Sequence, residues 1–286
     1  MDVRIQAAKA EQFRKLHHGP KLLFLPNAWD VASARILEEA GHPAIATTSA
    51  GIAYSLGYAD GQIISRDEML SVVNRIARAV RVPVTADLEA GYGTTAKAVA
   101  DTAKAAIEAG AIGMNLEDLS VDEKHPLLDL AQQIERIQAV REAASAMGVP
   151  FVLNARTDVY LAAIGPEETR FERTVERLRA YRKAGTDCVF APGVTDMETI
   201  TKLVKAVEAP LNILAAPACP PVAELEKAGV ARVSTGSGIM RAAMGVAQRV
   251  AKEMIEGRSC QSMFEGAMPY IDLKRMMTRQ NSAAND

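Results

Sequence analysis

Two carboxylates set two residues apart, Asp87 and Glu89, close a short apolar run that starts after Pro83 and leads into Gly91-Tyr92-Gly93. The run has the pattern of a buried parallel strand. Residues i and i+2 of a strand share a face, so both acids are expected to project the same way from its carboxyl end. Side by side and unpaired, they repel one another. A hard divalent cation, Mg²⁺ or Mn²⁺, removes that repulsion, because it takes oxygen ligands and keeps part of its water shell. Gly91 and Gly93 let the backbone turn sharply and approach a ligand. An isolated D-x-E is more often just an acidic strand end entering a surface loop.

Similar groups recur at similar places. Thr47-Thr48-Ser49-Ala50-Gly51 ends one apolar run, with Asp60 in the loop beyond. Glu117-Asp118 ends another, and Asn154, Arg156 and Asp158 end a third. An arginine's planar fork suits two-pronged capture of a carboxylate or phosphonate. Its plain alternative is an internal ion pair with one of the acids. Asp60-Gly61 is equally a common turn pair. Tyr54 and Tyr92 offer hydroxyls at the same end, against a simple packing role.

The elements that must position these groups form a repeat. Apolar strands are expected at Leu22–Leu25, Ala44–Thr48, Pro83–Asp87, Ala111–Leu116, Phe151–Asn154, Cys188–Phe190, Leu211–Leu214 and Val230–Ser234. Helical patterns follow each, several stopped by glycine, and Ser65 with Glu68 forms a capping box before the second. Eight alternating units with short connections imply a parallel sheet and fit a closed (β/α)₈ TIM barrel over about residues 20–257. An open doubly wound sheet is the alternative, but the first strand–helix turn, Pro26 to Asp30, has no G-x-G-x-x-G. In such a barrel the strand ends converge on one mouth. A helix over Ala7–His17 precedes the barrel. A C-terminal helical segment over about 261–278 follows it, with Met263, Phe264, Met268, Ile271, Leu273 and Met276 in need of a partner surface. The tail Asn281–Asp286 reads as disordered. No composition break divides the 286 residues, so a single domain is expected.

The net charge of −2 arises from 33 basic and 35 acidic residues with no dense basic block, which argues against a nucleic-acid partner. Three dispersed cysteines suggest a reducing cytoplasm over a disulfide framework. No apolar run reaches the length of a membrane span.

The sequence resembles the isocitrate lyase/phosphoenolpyruvate mutase superfamily over nearly its whole length. The resemblance lies in Leu25-Pro26-Asn27-Ala28-Trp29-Asp30, Thr47–Gly51, Asp87-Leu88-Glu89-Ala90-Gly91-Tyr92-Gly93, Asn115-Leu116-Glu117-Asp118 and Asn154-Ala155-Arg156-Thr157-Asp158. It implies a barrel whose last helix is exchanged between subunits, giving a dimer of dimers. It implies Mg²⁺ held directly by Asp87, with Asp60, Glu89 and Glu117 on metal-bound waters. Thr48, Ser49, Ala50, Gly51, Asn154 and Arg156 would bind a small 2-oxo or 2-hydroxy acid, and the shared intermediate is an enolate. Glu89 replaces the family's usual second aspartate. The loop after the fourth strand, Ser120 to Pro126, lacks both the lyases' cysteine and the mutases' asparagine, and Leu214-Ala215-Ala216-Pro217 is apolar where the lyases carry Asn-x-Thr-Glu. Lys124 and His125 remain as proton carriers. The reading is a metal-dependent carbon–carbon lyase or decarboxylase. The alternatives are a phosphorus–carbon enzyme and a non-catalytic barrel that binds a 2-oxo acid.

Overall fold

A computed structural model describes residues 2–120, 122 and 124–278. Its centre is a ring of parallel strands. The segments run β1 (Leu23–Leu25), β2 (Asn27–Ala28), β3 (Ile45–Thr47), β4 (Val84–Asp87), β5 (Gly113–Glu117), β6 (Val152–Arg156), β7 (Cys188–Phe190), β8 (Leu211–Leu214) and β9 (Arg232–Ser234). The ladder order is β1-β9-β8-β7-β6-β5-β4-β3-β2. β1 and β2 are two halves of one strand on either side of Pro26. The first half pairs with β9 and the second with β3. The sheet therefore closes on itself, and the open-sheet alternative is ruled out.

Pro26 has no N–H to give to a ladder, and its carbonyl accepts from Ala46 N at 2.9 Å. The seam is clasped by Asn27. Its backbone N–H donates to Thr235 Oγ1 at 3.0 Å. Its Oδ1 accepts from Thr235 N and Gly236 N at 2.9 and 3.0 Å. Its Nδ2 donates to Thr47 O at 2.7 Å. One buried side chain thus joins both neighbours of the split strand.

The helices follow as α1 (Val3–Leu16), α2 (Val31–Glu39), α3 (Ser49–Ser55), α4 (Arg66–Ala79), α5 (Ala96–Glu108), α6 (Leu130–Ala146), α7 (Glu167–Lys183), α8 (Met197–Val207), α9 (Val222–Lys227), α10 (Gly238–Glu256) and α11 (Tyr270–Thr278). Their apolar faces and the outward Val, Ile, Leu and Ala of the strands make one continuous aliphatic core. The expected capping box at Ser65 and Glu68 is present. α1 begins four residues before the expected start and covers the amino-terminal end of the barrel. Gln6 Nε2 donates to Ile107 O and Ala111 O at 2.7 and 2.8 Å, and Arg14 reaches Asp187 and Pro150 O. Phe13 is fully buried there.

Two expectations need correction. α3 is absent from the sequence reading, because seven residues are too few to show a helical period. The C-terminal segment is broken into a 3₁₀ turn (Gln261–Phe264) and α11, since Gly266 takes φ +71° and Pro269 follows. Met276 does not await a partner: it is buried where α11 meets α2, and Arg35 Nη1 donates to the Met276 and Met277 carbonyls. The tail 281–286 lies outside the described residues.

The clasp predicts a stability effect. Asn27→Ala leaves several buried partners unsatisfied and should cost about 3 kcal/mol, read as a lower urea midpoint with an unchanged slope.

Candidate active site at the barrel mouth

β4, β5 and β6 place Asp87, Asn115 and Asn154 in register across three strands. All three point into the barrel and form a chain. Asn154 Nδ2 donates to Asn115 Oδ1 at 2.7 Å, and Asn115 Nδ2 donates to Asp87 Oδ1 at 3.1 Å. Asp87 Oδ2 accepts from Ser49 N at 3.1 Å and Ser49 Oγ at 2.8 Å. Thr48 is the N-cap of α3 and accepts from Gly51 N at 3.3 Å. A side chain at Gly51 would meet Thr48 Cγ2 at 2.6 Å. The Thr48–Gly51 turn, expected to hold substrate, thus uses two of its donors to fix Asp87.

Glu89 reaches the site by a route other than strand alternation. β4 ends at Asp87, and Glu89 lies beyond it with φ +51°. A left-handed glutamate is held there by its surroundings. Its carbonyl accepts from Glu117 N at 3.1 Å. Buried Arg136 of α6 donates to the Ala90 carbonyl and, at 3.4 Å, to the Gly93 carbonyl. Glu89 is buried, and its Oε1 has no hydrogen-bond partner among the described residues. Burial, then Asp87 and Asp60, push its pKa up to about 7. Asp60, in an exposed turn, is raised by desolvation and by Asp87. The Tyr92 hydroxyl is buried without a partner among the described residues, and burial followed by Glu89, Asp87, Asp60 and Glu117 raises its pKa.

Glu117 is raised well above the ordinary carboxylate range by burial, which Arg156 opposes. Arg156 Nη1 lies 2.9 Å from Glu117 Oε2. Its Nε and Nη2 both donate to Asp158 Oδ1, at 2.9 and 2.7 Å, and Phe190 lies 5.8 Å below the guanidinium. The ion-pair alternative for Arg156 is therefore present. It does not preclude ligand capture, since one arginine is shared among several acids. Asp118, adjacent to Glu117, faces away. It is fully buried and accepts from Asp158 N, Arg177 Nη1 and Tyr181 OH at 3.0, 2.9 and 2.6 Å.

The structure therefore brings together Asp60, Asp87, Glu89, Glu117, Ser49, Asn154 and Arg156. It does not bring in Lys124 and His125. His125 is 80% exposed and bonds Asp122 Oδ2 through Nδ1 at 3.0 Å, and the Lys124 N–H donates to Asp122 Oδ1. Sequence reasoning left Asn115 without a role; its place one strand over from Asp87 was the available signal. Among the described residues no three His, Cys, Asp or Glu side chains form a ready-made metal cage. The donors fit a hydrated cation better than a caged one: repelling carboxylates, with a buried glutamate oxygen left unpaired.

The phosphoenolpyruvate phosphomutase profile matches residues 13–255. An uncharacterized protein of Mycobacterium tuberculosis is 32% identical over 270 residues, 94% of this chain and 97% of that one. The 2-methylisocitrate lyase of Escherichia coli is 33% identical over 184 residues, 62% of this chain and 60% of its own length. The crystal structure of a lyase/mutase candidate from Burkholderia cenocepacia J2315 superposes with a TM-score of 0.91 at 39% identity, covering 96% of this chain and 98% of that one. The chain belongs to the phosphoenolpyruvate mutase/isocitrate lyase superfamily, a group of barrel lyases, hydrolases and mutases. Among the described residues, no helix is long and apolar enough to cross a membrane.

The raised carboxyl pKa values predict a pH dependence. Glu89 goes from 4.5 to about 7 on folding without metal. A carboxyl raised on folding contributes stability below its unfolded pKa and loses it as pH rises through the folded value. Metal-free protein should lose on the order of 2 kcal/mol between pH 4.5 and 7. Urea titrations in EDTA should show this fall, flattened in Glu89→Gln.

Proposed function

We propose that the protein is a divalent-metal-dependent lyase or decarboxylase that breaks a carbon–carbon bond beside the 2-oxo or 2-hydroxy group of a small carboxylic acid. The observation that carries this reading is the half-buried Arg156, locked on one edge by Asp158 and turned toward a group of mutually repelling carboxylates. Keeping such a cluster without a cation is costly, which weighs against the non-catalytic alternative.

Asp87 is the proposed direct ligand of Mg²⁺ or Mn²⁺, with Asp60, Glu89 and Glu117 on its water shell. The cation would supply Lewis-acid polarisation of the substrate's oxygen. Ser49 and Asn115 hold the Asp87 carboxylate in one orientation. Arg156 would take the substrate carboxylate on the edge that now meets Glu117, and Asp158 would keep the fork from turning. Asn154 would orient Asn115 through its Nδ2 and contact substrate through its Oδ1, which has no hydrogen-bond partner among the described residues. The chain's own proton carriers would be Lys124 or His125, which must move inward from their exposed turn. Bond cleavage then leaves an enolate, protonated from that side.

A phosphorus–carbon enzyme is the second reading, favoured by the phosphomutase profile. A panel of oxaloacetate, isocitrate, methylisocitrate, dimethylmalate and phosphonopyruvate with Mg²⁺ decides between them. Release of pyruvate, glyoxylate or succinate without phosphate supports the first reading, and phosphate release supports the second. No turnover of any of them sinks both. On the active substrate, Arg156→Lys should lower kcat/KM by about 2–4 kcal/mol in barrier terms, because a point charge cannot replace the fork. Asp87→Ala should abolish Mg²⁺ binding in calorimetry while the circular dichroism spectrum is kept.

The quaternary proposal is a helix-swapped dimer that pairs into a tetramer. α10 buries only Met240 in its own chain, and exposes Met244, Val246, Met254 and Ile255. Phe264, Met268 and Ile271 are exposed beyond it. Light scattering should give a tetramer at micromolar concentration; a monomer would refute this assembly.

A further inference from the structure

The two acids at the end of β5 go separate ways. Glu117 meets Arg156 at 2.9 Å. Asp118 turns instead to α7 and is fully buried. Arg177 and Tyr181 stand four residues apart on α7, on one face of the helix. Arg177 Nη1 donates to Asp118 Oδ2 at 2.9 Å, and the Tyr181 hydroxyl donates to the same oxygen at 2.6 Å. Arg177 Nη1 also donates to the Tyr181 hydroxyl oxygen at 3.1 Å. The three side chains close a triangle, and all three are buried. A buried carboxylate is costly unless it is paired and hydrogen-bonded, and this one is both.

One oxygen of Asp118 is thereby spent on α7, and the other faces the site. Oδ1 accepts the backbone N–H of Asp158 at 3.0 Å. The N–H of Thr157 is bound too, to the Phe190 carbonyl at 3.0 Å. The backbone leaving β6 is therefore held at two successive residues. That backbone carries the Asp158 side chain, whose Oδ1 accepts from both Nε and Nη2 of Arg156 at 2.9 and 2.7 Å. On its far side Arg177 Nη2 donates to the Leu128 carbonyl at 2.8 Å, and the Leu128 N–H donates to the Asp118 carbonyl at 2.9 Å. Direct hydrogen bonds thus run from α7 through Asp118 and Asp158 to the guanidinium of Arg156.

We propose that Asp118, held by Arg177 and Tyr181, is the positioning residue of Arg156: it fixes the Asp158 backbone so that Asp158 presents the arginine's fork at the angle a substrate carboxylate needs. The clause on substrate rests on the carboxylate-clamp reading above; the orientation of Arg156 does not. A fork must match a carboxylate in plane and direction, so a small rotation of Arg156 loses one of the two contacts. Arg177 matches the charge of Asp118, which therefore does this without adding to the negative charge at the mouth.

Two measurements test it. The first needs no ligand. Phenylglyoxal modifies arginine side chains, and its reaction at Arg156 in metal-free protein is followed by peptide mass spectrometry against Arg4, whose side chain is 93% exposed. In Asp118→Ala, Arg156 should react roughly three- to tenfold faster relative to Arg4 than in the parent. An unchanged ratio overturns the positioning role, whatever stability the variant has lost. The second is calorimetry of oxalate in the presence of Mg²⁺. Asp118→Ala should weaken oxalate binding about three- to tenfold, and by less than about twofold when Arg156→Lys is also present. A residue that only stabilises the barrel gives the same fold loss in both backgrounds, and that result overturns the proposal. If Asp118→Ala does not fold, Tyr181→Phe, which removes one of the two donors to Asp118 Oδ2, takes its place, with smaller changes of the same sign expected and unchanged values overturning the proposal. A parent that binds no oxalate, or an Arg156→Lys variant that binds it as tightly as the parent, refutes the clamp reading, and the modification ratio alone then judges Asp118.

Discussion

The constraint on which the rest of this structure depends is electrostatic crowding at one end of the barrel. Asp60, Asp87, Glu89, Glu117 and Asp158 converge on a single half-buried arginine, Arg156. Left alone, such a group would push its own strands apart or take up protons, and the raised pKa values of Glu89 and Glu117 show the second tendency. Much of the surrounding detail counters it. Ser49 and Asn115 give Asp87 three hydrogen bonds. Asp158 is raised by burial and drawn back down by Arg156. Arg136 fixes the backbone of the loop that carries Glu89 by binding carbonyls and leaves the acids untouched.

The architecture was legible because it repeats. Period-matched apolar runs and glycine stops located eight of the nine strand segments, with Cys188–Phe190 and Leu211–Leu214 at their observed bounds; β2 lay in the stretch expected to be the first strand–helix turn. Closure was not legible in the same way. It depends on Pro26 splitting one strand between two neighbours, and a local pattern carries no information about a partner at the far end of the chain. The short α3 and the broken C-terminal segment escaped for a local reason: one is shorter than two helical turns, and the other is interrupted by Gly266 and Pro269.

At the site, the residue types were legible and their arrangement only partly so. Asp87 and Glu89 were placed together by strand alternation, yet Glu89 arrives through a left-handed turn after the strand has ended. Arg156 could be read as clamp or ion pair, and the geometry makes it a pair on both edges, with Asp158 on one and Glu117 on the other. The exposed turn at Lys124 and His125 shows the limit of reading chemistry from composition: the right side chains are present, but the fold holds them in solvent with Asp122. Asp118 marks the converse case: beside Glu117 in the sequence it reads as one more acid of the mouth, and the fold turns it away to Arg177 and Tyr181 on α7.

The Asn27 clasp has a consequence for how the chain is made. Its partner Thr235 lies 208 residues further along. At about 5–20 residues per second, a ribosome needs on the order of ten to forty seconds to deliver that partner. Throughout that interval the β1 edge has no neighbour and the growing sheet is an open, curling ribbon. Early α/β units can form side by side as they emerge, but the mouth, with its converging acids, is assembled only when the last strand is released. Nascent chains of this protein therefore carry an unpaired strand edge for most of their synthesis, the period when protection by a chaperone matters most.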